Sequence, residues 1–256
     1  MYPRKKAVTN PWEGMIEPFE IVPSVYFVGT YQASTHLIDT GDGLVLIDPG
    51  YSNALYLVID SIRELGFNPR DIRYIINTHW HGDHTQATRA LAALSGAKTL
   101  LGEPDLPYVR ERNLFEPDIL VKDGDTLTVG DKTFTFLLTP GHTKGTISPF
   151  FDVTLNGKTL RAGMFGGAGA NTLDKNNATY YDGAIDDYLH SLDKLEEERV
   201  DVFIGNHTWN NNTEEKARIL KEGGENPFID SAEYPKFLAH CRERCLRTAE
   251  KNRQSE

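Results

Sequence analysis

The segment THWHGDH, residues 78–84, places three histidines and one aspartate within seven positions, directly after the run DIRYIIN. A short apolar run rich in β-branched residues and bounded by turn residues predicts a buried strand. His79 and His81 are two residues apart, so an extended backbone points their side chains to the same side. Because imidazole and carboxylate are metal ligands and poor core fillers, this strand end is predicted to bind metal.

Two further histidines follow predicted strands in the same way, His142 after FTFLLTP and His207 after VDVFI. Taken alone, each is an ordinary hydrogen-bonded histidine, and Asp83 taken alone is a helix N-cap. Five histidines that all follow predicted strands are difficult to explain as ordinary hydrogen-bonded residues. The remaining three have no such setting and are predicted to be ordinary core or surface residues: His36, His190 and His240.

Five histidines and one aspartate are too many ligands for a single tetrahedral zinc ion, which takes four. They fit two metal ions with three protein ligands each and a shared water. Nitrogen-rich ligation without cysteine favours zinc. Since zinc-bound water has a pKa of about 7, such a centre makes hydroxide available at neutral pH. The ligand set therefore predicts a hydrolase with two zinc ions as cofactors.

The rest of the chain alternates β-type and helical segments in two similar blocks. FEIVPSVYFVG and STHLIDTGDGLVLID predict strands, and NALYLVIDSIRELGF has apolar residues at helical spacing. The second block repeats this order, with TISPFFDVTLNGKTLRAG as a hairpin and YDGAIDDYLHSLDKLEEE as a helix. Two such blocks predict two packed sheets with helices outside, in one α/β domain over residues 1–256. A helical C-terminal tail is expected from about residue 213, broken near GGENPF.

Composition limits the partners of the chain. A net charge of −10 argues against nucleic acid, because the phosphate backbone requires basic patches. No window reaches the ~18 consecutive apolar residues of a membrane span. MYPRKKAVTNPWEGM has no apolar signal-peptide region, so a cytoplasmic location is expected, with a processed periplasmic or secreted form as the alternative. Cys241 and Cys245 are expected to be reduced. A small-molecule substrate remains, and the oligomeric state is left open.

THWHGDH matches the His-x-His-x-Asp-His signature of the metallo-β-lactamase superfamily. The chain resembles that family over roughly residues 20–210, in the order of the motifs LIDPG, THWHGDH, TPGHTKG and FIGNH. The resemblance implies a four-layer αββα sandwich with a two-zinc hydrolase site at one edge. It implies that the ligands of the first zinc are His79, His81 and His142, and that those of the second are Asp83, His84 and His207. It also implies that Asp48 is a structural residue beneath the metals.

One departure discriminates within the superfamily. Thioesterases and lactonases of the family usually carry a bridging aspartate after the long hairpin, and AGMFGG has Met164 there. The third subclass of metallo-β-lactamases, which lacks that aspartate and any cysteine ligand, is the most similar branch. The alternative is a misalignment in which Asp174 is the bridge. His81 also argues against the oxygen-reducing di-iron branch, where a glutamate replaces this histidine.

The resemblance therefore implies β-lactam amide hydrolysis by a metal-bridging hydroxide that Asp83 orients, either as a role in antibiotic resistance or as a promiscuous activity of a housekeeping hydrolase. The alternatives are hydrolysis of a lactone, thioester or small amide, and a non-catalytic metal-bound binding module. Substrate contacts are expected from the loops, although each of these residues taken alone is as consistent with a solvated loop: Tyr31, Gln32, Tyr181, Trp209 and Asn210.

Overall fold

The computed structural model describes residues 4–254 of the chain, with side chains from Ala7 onward. Its strands form two sheets. The first sheet has seven strands paired in chain order: β1 (Phe19–Val22), β2 (Val25–Phe27), β3 (His36–Asp39), β4 (Leu44–Ile47), β5 (Ile72–Asn77), β6 (Lys98–Gly102) and β7 (Ile119–Val121). The first four strands are antiparallel, and β4 to β7 are parallel.

The second sheet has five strands in the order β12-β11-β10-β9-β8: β8 (Thr126–Val129), β9 (Lys132–Leu138), β10 (Ile147–Leu155), β11 (Lys158–Gly163) and β12 (Val202–Phe203). Only β12, which follows a helix, runs parallel to its neighbour β11. The turn between β10 and β11 is the predicted Asn-Gly pair, and both residues have the positive φ that a two-residue hairpin requires.

Eight α-helices accompany the sheets: α1 (Arg4–Thr9), α2 (Leu55–Glu64), α3 (Gly82–Thr85), α4 (Thr88–Ser95), α5 (Leu106–Glu111), α6 (Ala184–Glu196), α7 (Thr213–Lys221) and α8 (Glu233–Gln254). Five short 3-10 turns lie between these elements: Pro11–Gly14, Ser52–Ala54, Pro69–Asp71, Glu103–Asp105 and Ala170–Leu173. Within residues 4–254, no helix is both long and apolar enough to cross a lipid bilayer.

The inner faces of the two sheets meet in one hydrophobic core. Val25, Ile38 and Ile76 of the first sheet and Phe134 and Phe151 of the second have no exposed surface there. Burying a side chain of this size contributes about 1.5–3 kcal/mol. The β-branched and aromatic residues that predict the strands therefore also hold the two sheets together.

Helices cover the outer face of each sheet. Val58 and Ile62, four residues apart on one side of α2, belong to an apolar cluster with the first sheet. Leu192 of α6 and Leu238 of α8 belong to the cluster on the second sheet, together with Phe203. The layers follow the order helix, sheet, sheet, helix, which confirms the predicted αββα sandwich.

The chemistry-bearing motifs follow strand ends at one edge of this sandwich. β4 leads into Asp48 and the parallel β5 leads into His79, while β9 and β12 of the second sheet lead towards His142 and His207. The loop before His142 requires glycine at position 141. Gly141 has a φ of +131°, and a Cβ there would lie 2.5 Å from the Cβ of Tyr188 on α6.

Candidate metal centre

The six predicted ligands lie together in two groups of three. One group contains His79, His81 and His142, and the other contains Asp83, His84 and His207. Within each group, the potential ligand atoms all lie within 4.8 Å of one another. The groups are neighbours, since the ring centroids of His79 and His84 are 4.2 Å apart. This arrangement can therefore provide two adjacent metal positions.

Asp48 fixes one ligand of each group from beneath. Its Oδ2 accepts hydrogen bonds from His84 Nδ1 at 2.7 Å and from the Thr78 hydroxyl at 2.7 Å. The same hydroxyl oxygen lies 3.1 Å from His79 Nδ1 and can accept its proton. Asp48 has a φ of 52°, rare for a non-glycine residue, and the Thr35 hydroxyl binds its carbonyl at 2.7 Å. Asp48 thus sets the orientation of both imidazoles.

Backbone carbonyls orient two further histidines. His142 Nδ1 donates to the Gly169 carbonyl at 2.7 Å, and His207 Nδ1 donates to the Gln32 carbonyl at 2.8 Å. A proton held at Nδ1 leaves the Nε2 lone pair free to bind a metal. His81 differs, because its Nδ1 lies 3.0 Å from His142 Nε2. In the first group, Nδ1 of one ring and Nε2 of another therefore point at the same place.

Two buried ring nitrogens indicate that a cation fits here. His79 Nε2 and His84 Nε2 are fully buried and have no hydrogen-bond partner among the described residues, although Asp83 Oδ2 lies 3.4 Å from His84 Nε2. Leaving a buried polar group unpaired costs about 1–3 kcal/mol, and such groups are rare in native proteins. His79 belongs to one of the two ligand groups and His84 to the other. A metal ion at each position pairs both nitrogens.

The electrostatics of the second group also favour a cation. Burial lowers the pKa of His84, but the charges of Asp83 and Asp48 and the hydrogen bond to Asp48 outweigh burial and raise it to about 10. Burial raises the pKa of Asp83, but the charges of His84, His207 and His81 hold it well below its ordinary value. Two carboxylates therefore make this position favourable for positive charge.

The first group behaves differently, because it contains no carboxylate. Burial lowers the pKa of His79 and His142 well below the ordinary value and that of His81 to about 4. Burial likewise lowers the pKa of His207 to about 4. These rings are neutral at physiological pH, which is the state in which imidazole binds a metal.

Asp105 is a part of the site that the sequence did not reveal. Its buried carboxylate accepts hydrogen bonds from the backbone of Trp80 at 3.0 Å, from the Thr143 hydroxyl at 2.8 Å and from the backbone of Gly145 at 2.7 Å. Trp80 lies between two ligands of the first group, and Thr143 follows His142. Asp105 therefore ties together the two loops that carry this group.

The position at which the resemblance leads us to expect a bridging carboxylate belongs to the hydrophobic core. Met164 has no exposed surface and packs among the apolar side chains between the two sheets. Asp174, the alternative bridge, forms an ion pair with Lys251 at 2.5 Å and accepts a hydrogen bond from the backbone of Asn176. It belongs to neither ligand group. Among the described residues, the two groups therefore have no carboxylate bridge.

The ligand groups open into a cavity of about 570 Å³, a size typical of small-molecule sites. His81, Asp83, His142 and His207 form its floor. Its walls are mostly neutral and polar: Tyr51, Gln86, Gly169, Asn171, Thr172, Asn177, Thr179, Trp209, Asn210 and Arg244. Arg244 was also missed from the sequence, since α8 lies beyond the recognised motifs.

The predicted substrate contacts are distributed unevenly around this cavity. Trp209 and Asn210 line it, and Trp209 stacks on His207 with ring centroids 4.4 Å apart. Tyr31 packs against Trp209 at 5.9 Å, and Gln32 contributes its carbonyl to His207. Tyr181 lies outside the cavity lining, and its hydroxyl donates to Asp187 at 2.9 Å.

The remaining histidines have the ordinary settings expected of them. His36 is buried and its Nε2 donates to the Gly205 carbonyl at 3.0 Å. His190 and His240 are exposed on α6 and α8. Cys241 and Cys245 are free thiols buried on α8.

A helix-covered double sheet with a histidine-rich metal centre at its strand ends defines a class of metal-dependent hydrolases. The chain belongs to the Metallo-beta-lactamase superfamily, whose family profile matches residues 28–207. Among solved structures, it is similar to BJP-1, a subclass B3 metallo-beta-lactamase of Bradyrhizobium japonicum. That likeness has a TM-score of 0.89 and 29% identity, and covers 97% of this chain and 99% of that chain. FEZ-1, the metallo-beta-lactamase from Legionella gormanii, is similar with a TM-score of 0.87 and 26% identity, over 94% and 98% of the two chains.

Curated relatives matched by sequence point to other substrates. A hydroxyacylglutathione hydrolase from Francisella tularensis subsp. novicida is 30% identical over 145 residues, which are 53% of this chain and 54% of the relative. The N-acyl homoserine lactonase AttM of Agrobacterium fabrum is 27% identical, over 48% of this chain and 57% of the relative. The chain thus spans about half the length of these relatives. The family implies a hydrolase that uses metal ions.

Proposed function

We propose that this protein is a zinc-dependent hydrolase with two zinc ions, and that it opens β-lactams by amide hydrolysis. The ligand set carries the proposal: three histidines face an aspartate and two histidines, while Met164 lies in the core. Likeness to BJP-1 over nearly the full length of both chains supports the same branch. A single domain acting on a small molecule, without a nucleic-acid partner, is part of this proposal.

The residues divide between the two metal ions as the two groups do. His79, His81 and His142 would hold one ion, and Asp83, His84 and His207 would hold the other. Zinc bound there supplies Lewis acidity towards a carbonyl oxygen and water activated at neutral pH. Asp48 keeps the Nε2 lone pairs of His79 and His84 directed into the site.

Asp83 is the residue that we assign to the attacking water. Its Oδ2 lies 3.4 Å from His84 Nε2 and 3.8 Å from His207 Nε2. Among the described residues, none donates a hydrogen bond to Oδ1. That oxygen can accept a hydrogen bond from water and direct the water's lone pair at the carbonyl carbon. Positioning of this kind contributes typically 10²–10⁴-fold when combined with proton transfer.

The walls of the cavity hold the substrate and limit water. Trp209 covers one face of His207, so the ring shields this side of the site from solvent. Asn171 and Asn210 line the cavity and carry amides that can donate to a substrate oxygen. Tyr31 and Gln32 support this wall from behind. These contacts fit a small polar substrate.

Hydrolysis of a lactone or thioester is the second candidate. The sequence matches to a hydroxyacylglutathione hydrolase and to an N-acyl homoserine lactonase favour it. The same water, the same Asp83 and the same carbonyl polarisation serve an ester, a thioester or an amide. Met164 weighs against this candidate, since family members of those branches usually carry a bridging aspartate there.

A substrate panel tests the two candidates together. Zinc-loaded protein is assayed with a penicillin, a cephalosporin, a carbapenem, an acyl homoserine lactone and an acyl-glutathione thioester, with and without chelator. Chelator-sensitive β-lactam turnover with kcat/KM of about 10⁴ M⁻¹s⁻¹ or above supports the first candidate. Turnover confined to the lactone or thioester supports the second. With two zinc ions bound, no turnover of any member would refute both.

A further inference from the structure

Within the described chain, His81 is the one histidine ligand whose ring has no hydrogen-bond partner outside the two ligand groups. Its Nδ1 lies 3.0 Å from His142 Nε2, and no described residue forms a hydrogen bond with its Nε2. The other four histidines each place Nδ1 against a protein oxygen: Thr78 for His79, Asp48 for His84, Gly169 for His142 and Gln32 for His207. Metal-binding histidines almost always have such a partner. A different contact must therefore orient the His81 ring.

Trp80 supplies a contact of this kind. The backbone of His81 is already fixed, since its carbonyl accepts hydrogen bonds from the Thr85 backbone at 3.1 Å and the Thr85 hydroxyl at 2.9 Å. The His81 ring meets the Trp80 indole at an angle of 63°, with ring centroids 4.4 Å apart. Two further rings contact it, but they belong to His79 and His142, which are ligands themselves. Trp80 thus orients the ring from outside the ligand set.

The indole of Trp80 is in turn held by α5 and the residue that follows this helix. Trp80 is buried in an apolar cluster with Val109. Tyr108 stacks on it with ring centroids 5.3 Å apart and planes 7° apart. The guanidinium carbon of Arg112 lies 4.3 Å from the centroid of the Trp80 ring, and Glu111 pairs with this guanidinium at 2.9 Å. Among aromatic side chains, tryptophan attracts a cation most strongly.

The charge of Arg112 alone would act against a metal ion at His81. The guanidinium is separated from the His81 ring by the Trp80 indole, and two positive charges that close repel each other. Removing this charge would therefore strengthen metal binding if Arg112 acted only through electrostatics. Removing a contact that orients His81 would weaken it. The two roles of Arg112 thus predict effects of opposite sign.

We propose that Trp80 and Arg112 are positioning residues for His81: the guanidinium holds the indole in place, and the indole fixes the torsion angles of the ligand ring. A ring that is already oriented loses less entropy when it binds an ion. Asp105 accepts a hydrogen bond from the backbone of Trp80, so the backbone and the ring of Trp80 are held separately. This inference rests on the proposed two-metal centre and concerns its first ligand group.

The test measures cobalt(II) binding to the chelated full chain by visible absorption. Cobalt(II) accepts imidazole and carboxylate ligands as zinc does, and its absorption bands report the geometry of each site. Arg112→Met removes the guanidinium and keeps an unbranched side chain. We expect one of the two dissociation constants to rise about 3- to 10-fold with altered absorption of that ion, and the other to stay within about twofold.

Arg110→Met is the matched control for the loss of charge. Arg110 lies on α5, but its guanidinium binds Glu116 at 3.0 Å instead of contacting Trp80. Both dissociation constants and both absorption spectra of this variant should equal those of the wild type.

Two substitutions of Trp80 separate the ring from its volume. Trp80→Phe keeps a ring beside His81 and should bind cobalt within about threefold of the wild type. Trp80→Leu keeps apolar volume without a ring and should weaken the same ion about 10- to 100-fold. Urea unfolding of the chelated variants shows whether they lose similar stability, in which case stability cannot produce the difference in cobalt binding.

Tighter cobalt binding by Arg112→Met would show that Arg112 acts through its charge, and would overturn the positioning role, as would unchanged constants. Equal loss of affinity in Trp80→Phe and Trp80→Leu would also overturn it. In each of these cases the wild type still binds two ions, so the metal centre stands. Failure of the wild type to bind cobalt refutes the metal centre and the positioning role together.

Discussion

Replacing Asp105 with alanine tests whether one buried carboxylate holds the first ligand group together. The substitution leaves the backbone donors of Trp80 and Gly145 without their acceptor, while the Thr143 hydroxyl retains Thr146 Oγ1 at 2.9 Å. An unsatisfied buried donor costs about 1–3 kcal/mol, so the two donors cost about 2–6 kcal/mol. Burial raises the pKa of Asp105 to about 7, so removing the carboxylate relieves part of this cost. We expect a net loss of about 2–3 kcal/mol.

The assay is urea unfolding of the chelated protein at pH 7, followed by metal titration of the folded protein. For a chain of this size, the expected loss corresponds to a fall in Tm of roughly 5–10 °C. Affinity for the first metal ion should fall about 10- to 100-fold, as when other outer partners of metal ligands are lost. Affinity for the second ion should change less, because Asp48 orients His84 independently.

Asp118 provides a matched control away from the metals. Its carboxylate also accepts from a backbone amide and a hydroxyl, both of Thr99, at 2.8 and 2.9 Å. Asp118→Ala should lower stability while leaving both metal affinities unchanged. If Asp105→Ala unfolds within about 0.5 kcal/mol of the wild type and binds both metals normally, the reasoning is wrong.

Two further predictions concern the same centre, and a third concerns the buried His36. Asp83→Ala should lower kcat/KM at least about 100-fold while changing the stability of the chelated protein by less than about 1 kcal/mol; full turnover would refute the assignment. Chelation should lower Tm and zinc should restore it, since ligands at 1,000 times their Kd stabilise by about 4 kcal/mol; an unchanged Tm contradicts a metal centre. Burial lowers the pKa of His36 to about 4, so its neutral form stabilises the fold fully above pH 6.5 and this stability is lost as pH falls towards 4. His36→Gln can still donate a hydrogen bond to Gly205. Between pH 6.5 and 4.5, its free energy of unfolding in urea should fall by about 2 kcal/mol less than that of the wild type; if the two proteins lose the same free energy over this range, the effect is excluded.

The ligand groups are predictable because their signals are local. THWHGDH is a continuous segment after a strong strand pattern, and His142 and His207 each end a similar pattern. Strand ends of packed sheets meet at one edge, so sequence and topology together bring these residues close. The strands themselves are clear for the same reason, since a short run of β-branched and aromatic residues has few alternative structures.

Asp105 and α5 could not be predicted from local sequence signals. The segment GEPDLPYV contains two prolines, and both Pro104 and Pro107 lie in first turns, where their missing N–H costs nothing. Asp105 has no neighbour in sequence that marks it. Its partners Trp80 and Gly145 lie 25 and 40 residues away, and only the packed loops bring them together.

Arg244 was hidden for a different reason. α8 has the ordinary pattern of a charged amphipathic helix, in which Arg242, Arg244 and Arg247 look equivalent. Only the packed structure shows that two of them have acidic partners and that the third lines the cavity. Tyr181 stays a predicted contact, and its neighbours in sequence do not show that its hydroxyl donates to Asp187.

The contribution of α8 to the cavity has an evolutionary consequence. The family profile matches residues 28–207, which include every predicted metal ligand, whereas Arg244 lies outside it. Mutations in this C-terminal helix can therefore alter which molecules enter the cavity without disturbing the residues that hold the metals. The metal ligands and this part of the cavity wall therefore lie in segments of the chain that can change independently of one another.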